Sequence, residues 1–216
     1  MRERIRGAGN PTEMRYRQDS GTDGLSEKGK CYRVATVLGD IYIHAVGGTP
    51  VRIGFRPPEP DADVLLAKDE PPPAVRDLMR ALIHVLEGKE ADREVVDGLL
   101  SSTRFSRFQR YVYRAVLSIP RGSTLSYRQV AELAGSPGAA QAVGNAMRRN
   151  PFPVIIPCHR VIRSDGSPGG YSGPAGMKER LLALEGVLES RKGVPGTPCA
   201  RGSRGDMPCR PSARER

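Results

Sequence analysis

No apolar run in this chain approaches the length needed to span a bilayer, and hydrophobic residues make up only 38% of it. Arginines near the N-terminus have no apolar stretch behind them, so no secretory signal is expected. Cysteine is sparse. The four present, Cys31, Cys158, Cys199 and Cys209, are too scattered for a disulfide framework or a paired zinc knuckle. These absences point to a reducing, intracellular setting. Histidine is sparser still, and His44 and His84 have no cysteine at metal-ligand spacing, so they read as ordinary strand and helix residues.

Positive charge, by contrast, is plentiful and unevenly placed. The net charge is +10, but residues 30–103 hold 9 basic and 12 acidic side chains, whereas residues 104–188 hold 12 and 4. A basic second half suits a polyanionic partner. A merely solvated basic face is the other reading.

The 216 residues suffice for one large domain or two small ones. Residues 1–29 are polar, Gly-rich and aperiodic, and read as a disordered tail. An α+β domain is expected over 30–103. Tyr32–Val37, Ile41–Val46 and Val51–Phe55 are β-rich runs separated by Gly39-Asp40 and Gly47-Gly48-Thr49, which predicts an antiparallel meander. A proline-rich connection, Pro57 to Pro73, leads to a helix marked by Val75, Leu78, Met79, Leu82, Ile83 and Leu86 and stopped at Gly88.

The second domain is expected over 104–188. Ser106 with Gln109, and Ser126 with Gln129, are capping-box pairs that open two helices. Gly135 closes the second of these, Ser136 and Pro137 are placed to start a third, and Ala140, Val143 and Met147 form its apolar stripe, with Gln141, Asn145 and Arg148 on the other side. Two short helices across a Gly-containing turn outline a helix-turn-helix, although an ordinary helical hairpin has the same local spacing. Val154-Ile155-Ile156 reads as a buried strand, and Val161-Ile162 as a strand pairing across the Ser164-Asp165-Gly166 turn. A last helix is expected from Pro174, with Met177, Leu181 and Leu184 facing inward, ending at Gly186. Residues 189–216 read as a disordered basic tail.

Cys158 follows an apolar run and a proline, and is therefore stiffly held. Only a thiolate attacks well, so a nucleophilic role needs a base, and His159, Arg160 and Glu185 are candidates to activate it. If both were in a strand, Cys158 and His159 would point to opposite faces. From the residues alone, a buried structural cysteine is the favoured reading and a nucleophile the alternative.

Ile156-Pro157-Cys158-His159-Arg160-Val161 resembles the active-site signature of the O6-alkylguanine-DNA alkyltransferases, or methylated-DNA–protein-cysteine methyltransferases. Flanking blocks agree in order: Ser126-Tyr127, the Ala139–Arg148 helix followed by Asn150, Gly170-Tyr171-Ser172-Gly173, and Leu184-Glu185-Gly186. The resemblance implies a small ribonuclease-H-like antiparallel sheet with a helix, followed by a winged helix-turn-helix-like alkyltransferase domain. The implied activity is single-turnover repair: the alkyl group of O6-alkylguanine, and of O4-alkylthymine, passes irreversibly from DNA to Cys158, without cofactor or metal.

The same resemblance implies site roles. Cys158 is the nucleophile, His159 its base through a water, Glu185 the group that holds His159, and Asn150 a brace for the turn before the cysteine. Tyr127 would donate to the guanine ring, and Lys178 would support Tyr127. Tyr171, Ser172 and the Val161 carbonyl would bind the base. Ala139, Ala140, Gln141, Gly144, Arg148 and Arg160 would face DNA. Double-stranded DNA is the implied partner, bound by a monomer through the minor groove with low sequence specificity and with the damaged nucleotide flipped out. The implied location is cytoplasmic, nucleoid-associated in a prokaryote and nuclear in a eukaryote. Gln141 departs from the family, which usually has an arginine there to fill the gap left by the extruded base. A non-catalytic alkyltransferase-like lesion-binding protein is the runner-up, but those relatives lack the cysteine that is present here. A helix-turn-helix regulator would leave Tyr127, Tyr171 and Glu185 unexplained.

Overall fold

Two glycines with left-handed backbones, Gly47 (φ 55°) and Gly48 (φ 74°), turn the chain back on itself between its second and third strands. Positive φ at both central positions is the geometry of a tight hairpin whose twist matches its strands. The computed structural model describes residues 29–59, 64–101, 104–171 and 173–187. The expected tails, with Cys199 and Cys209, and the expected site residue Ser172 lie outside the described residues.

Strands β1 (Gly29–Thr36), β2 (Gly39–Val46) and β3 (Thr49–Gly54) form the expected antiparallel meander. A further strand, β4 (Val64–Leu66), lies in what the sequence presented as a proline-rich connection; it pairs parallel to β1, giving the order β3-β2-β1-β4. Three residues are too few for a periodic signal. Helix α1 (Pro73–Leu86) buries Val75, Leu78, Ala81, Leu82 and Val85, while Ile83 stays 40% exposed. Each of the buried Val and Leu side chains contributes about 1.5–3 kcal/mol. Helix α2 (Arg93–Ser101) carries no sequence expectation: it contains Gly98 and buries only Leu100.

Both capping boxes form. Ser106 and Gln109 open α3 (Arg107–Leu117), and Ser126 and Gln129 open α4 (Tyr127–Leu133). The next helix, α5 (Ala140–Arg148), starts later than Ser136-Pro137 implied, because Gly138 (φ 86°) breaks the helical path and Ser136 instead accepts a turn bond from the Ala139 amide. Helices α4 and α5 make the helix-turn-helix pair, and Val143, Ala146 and Met147 bury the inner side of α5.

Three further expectations are corrected. Val154-Ile155-Ile156 is not a strand but a buried turn, with Val154 at φ 77° and one isolated bridge between Pro153 and Ile156. The strand β6 (Val161–Ile162) pairs parallel with β5 (Leu125–Ser126), not across the Ser164-Asp165-Gly166 turn. The last helix, α6, spans Met177–Leu184, because Gly176 (φ 78°) delays its start. It buries Met177, Lys178, Leu181 and Leu182, whereas Leu184 is 42% exposed.

The result is an α+β fold whose apolar core runs unbroken from the sheet into the helices. The Ile53 amide donates to the Pro151 carbonyl at 2.7 Å, which ties β3 to the segment that leads into Cys158, and Arg104, just before α3, donates to the Val51 carbonyl at 2.9 Å. No helix among the described residues is long and apolar enough to cross a membrane.

Candidate active site

The site grows from the turn after α5. Val154 holds a positive φ that a β-branched residue adopts only at a cost of about 1–3 kcal/mol, so neighbours must impose it. Asn150 supplies the constraint. Its Nδ2 donates to the Ile156 carbonyl at 2.9 Å and its Oδ1 accepts from the Phe152 amide at 3.0 Å, so one buried carboxamide spans the turn. The chain then enters a single 3₁₀ turn, Cys158–Arg160.

That turn changes the geometry expected of Cys158 and His159. They are not alternating residues of a strand, and both are buried, at 2% and 1% exposure. His159 Nε2 lies 2.9 Å from Glu185 Oε1, at the end of α6. A carboxylate partner places the proton on Nε2 and leaves Nδ1 as the acceptor. Nδ1 is buried and meets no hydrogen-bonding atom among the described residues.

Arg160, expected to face DNA, turns inward instead. Its Nε donates to Glu185 Oε2 at 2.9 Å, its Nη2 to Glu185 Oε1 at 2.8 Å and its Nη1 to the Ile119 carbonyl at 2.7 Å. A guanidinium whose fork matches a buried carboxylate is not free to meet a phosphate. Burial works against ionisation of Glu185, but the hydrogen bonds from His159 and Arg160 outweigh it and bring the carboxyl down to about 2. Burial lowers the His159 pKa despite Glu185, so the imidazole is neutral at pH 7. Burial also pushes the Cys158 thiol up to about 11, opposed by the Asn150 side chain and the charge of Lys178. The resting thiol is therefore protonated, and a base must take its proton in step with any attack.

Lys178 is tied to the strand after the cysteine. Its buried Nζ donates to the Val161 carbonyl at 2.5 Å, and its charge acts on Cys158 and His159; burial lowers its own pKa to about 8. Tyr127, the first residue of α4, places its hydroxyl 3.5 Å from the Gly170 carbonyl. Burial raises its pKa, as does nearby Cys158, while Arg163 and Arg148 pull it down. Tyr171 is the other aromatic wall. Its hydroxyl is buried and meets no hydrogen-bonding atom among the described residues, and its ring sits 6.3 Å from that of Phe55, just after β3.

On α5, Gln141 and Arg148 are exposed, and Ala139 and Ala140 are half-buried at its start. Arg148 donates to Asn145 on the same helix. Gly144 faces Tyr127: a Cβ there would lie 3.9 Å from the ring. Sequence reasoning missed Phe55, Arg121 and Gly122, which reach the site from loops; a residue after a strand and a Pro-Arg-Gly breaker carry no local sign of such a role. Among the described residues, no group of three or more His, Cys, Asp or Glu side chains could hold a metal ion.

The family described as 6-O-methylguanine DNA methyltransferase, DNA binding domain, matches residues 107–187. The O6-methylguanine methyltransferase of Mycobacterium tuberculosis superposes with a TM-score of 0.56 at 30% identity, over 78% of this chain and 96% of that one. The chain belongs to the O6-methylguanine methyltransferase family. The methylated-DNA–protein-cysteine methyltransferase of Methanothermobacter thermautotrophicus is 47% identical over 117 residues, 54% of this chain and 64% of that protein. Its human counterpart is 50% identical over 91 residues, 42% of this chain and 44% of that protein. The match to these two curated relatives thus spans less than two thirds of their length. A second M. tuberculosis structure of the family, in complex with DNA, matches with a TM-score of 0.55 at 30% identity over 72% of this chain and 92% of that one.

Proposed function

We propose that this methyltransferase-family chain repairs DNA by moving the alkyl group of O6-alkylguanine, and of O4-alkylthymine, onto Cys158 once and irreversibly. The observation that carries the reading is the buried Cys158–His159–Glu185 series, in which an ionised carboxylate orients a neutral histidine whose second nitrogen meets no partner among the described residues. The sulfur attacks the alkyl carbon, the carbon–O6 bond breaks, and a thioether forms. The thiol proton passes through a bridging water to His159 Nδ1 and from there to solvent, while Tyr127 donates a hydrogen bond to the leaving guanine anion, which takes its proton from solvent. Asn150 braces the turn that presents the thiol, while Tyr171, Ser172 and the Val161 carbonyl line the base pocket. Lys178 acts here on the thiol and on Val161, whose carbonyl it already engages.

Residues 104–188 would carry the chemistry and DNA binding, with 30–103 as a supporting unit. Double-stranded DNA is the proposed partner, met in the minor groove by a monomer with little regard for sequence. The exposed Gln141 and Arg148, with the small residues Ala139 and Ala140, give α5 a close-fitting outer side. The alkylated oxygen lies on the pairing edge, so the nucleotide must leave the stack to reach a thiol as buried as Cys158. Intact-mass measurement after incubation with O6-methylguanine duplex tests the proposal. One methyl group per chain, mapped to Cys158 and absent in Cys158→Ala, is expected. Repeated turnover, or a methyl elsewhere, would overturn it.

A further inference from the structure

Glu185 is held from two sides, and the second side comes from the Pro120-Arg121-Gly122 loop. The Arg121 Nη2 donates to the Leu184 carbonyl at 2.8 Å, at the residue just before Glu185, and its Nη1 donates to the Val85 carbonyl at 3.2 Å, in the last turn of α1. One guanidinium thus caps two helix C-termini, where a cation is favoured and unpaired carbonyls need donors. Arg121 Nη1 also stands 4.0 Å from Glu185 Oε1. Next in the chain, the Gly122 amide donates to Glu185 Oε2 at 3.3 Å, and a Cβ on Gly122 would come within 3.2 Å of the Glu185 carbonyl oxygen. The cavity where α1, α6 and this loop meet is only about 10 Å³ and is lined by Val85, Arg121, His159 and Glu185 among others, so the junction has little slack.

From this geometry we infer that Arg121 is a positioning residue for the relay, fastening the end of α1 to Glu185 so that the N-terminal unit helps hold His159 against its carboxylate. The inference rests on the reading of Cys158, His159 and Glu185 given above. Arg121 touches neither substrate nor thiol. Its effect passes through the Leu184–Glu185 backbone to a carboxylate otherwise faced by His159, Arg160 and the Gly122 amide, while Lys178 faces the thiol.

Arg121→Ala, Arg121→Lys and Glu185→Gln are to be compared with wild type for single-turnover methyl transfer from O6-methylguanine duplex across pH, with thermal melting and affinity for undamaged duplex as controls. Misplacing a catalytic group by about 1 Å costs up to about a hundredfold, so a loss of about tenfold is expected for Arg121→Ala, with the rising limb of the rate moved to higher pH and DNA affinity unchanged. Lysine keeps the charge and the stem, but one nitrogen cannot serve both carbonyls in this fork geometry. Arg121→Lys should fold even if the alanine variant does not, and should fall between alanine and wild type. A wild-type rate and pH profile in the folded Arg121 variants, with Glu185→Gln slow, would overturn the role of Arg121 alone. No transfer by wild type, or full activity in Glu185→Gln, would overturn the relay itself and this inference with it.

Discussion

Replacing Asn150 with alanine removes both ends of a carboxamide that is only 5% exposed. The Ile156 carbonyl and the Phe152 amide would each lose a bond, at 2.9 Å and 3.0 Å, in a segment where residues 152–158 are all buried. The Ile156 carbonyl still accepts from the Cys158 amide at 2.7 Å, so only the Phe152 amide is left unpaired, at about 1–3 kcal/mol, and the lost bond to Ile156 adds about 1 kcal/mol, roughly 2–4 kcal/mol together. The turn would also lose what imposes the positive φ of Val154, and relief of that strain would return about 1 kcal/mol by letting the turn open. Asn150→Ala should therefore unfold with a stability lower by roughly 1–3 kcal/mol in urea, which for a chain of this size is a melting temperature lower by about 5 °C. Asn150→Asp separates support from chemistry: it keeps the acceptor for Phe152 but faces the Ile156 carbonyl and the thiol with oxygen. Its alkylation rate should fall further than its stability explains, because the Asn150 hydrogen bond that lowers the Cys158 pKa is gone. A loss under about 1 kcal/mol in Asn150→Ala would refute the bracing role.

Glu185→Gln should slow alkylation of Cys158, measured by stopped single-turnover sampling, while affinity for undamaged duplex stays within about twofold, since loss of an orienting partner acts on the proton transfer and not on docking. Glu185 is brought down to about 2 from 4.5, so the stability it contributes is present above its ordinary carboxylate range and fades as pH falls through that window; wild type should lose more stability than Glu185→Gln on titration from pH 5 to about 2. DNA affinity measured against added salt should fall steeply and similarly for unrelated duplexes, and a strong preference for one sequence would count against the reading. Gln141→Arg should accelerate transfer from duplex but not from free O6-methylguanine, and Gln141→Ala should slow the duplex reaction only, because a wedge offsets an unstacking cost of about a few kcal/mol. If neither variant alters duplex repair, Arg148 is the next wedge to test.

Elements that announce themselves by local chemistry were legible. The two capping boxes are each written in four consecutive residues, and both form as written. The hairpins follow from glycines between β-rich runs. What the sequence hid depends on partners far along the chain. β4 is a strand only because β1 lies beside it, and β6 chose β5 over its own neighbour across the turn. The apolar Val154-Ile155-Ile156 run has the composition of a strand, but Asn150 on one side and a 3₁₀ turn on the other leave it room only to reverse. Buried apolar residues say where a segment is and not which way its backbone goes.

The site shows the same division at the level of charge. The sequence marks Arg160 and Lys178 as two of the cations that make the second half basic, and nothing in a charge count tells an outward cation from an inward one. The fold turns both inward, Arg160 onto Glu185 and Lys178 onto the Val161 carbonyl beside Cys158. A buried lysine, a half-buried arginine, one ionised carboxylate and a thiol pushed up to about 11 make a site whose charges are nearly spoken for before any substrate arrives. Arg160 holds the Glu185 charge in place, which keeps that carboxylate from taking the thiol proton for itself and leaves it to orient His159. Lys178 stands nearer the sulfur, so its charge gains most at the moment the proton leaves. In the proposed reaction both cations act by position, and the proposed DNA-facing charge comes from others, of which Arg148 on α5 is exposed.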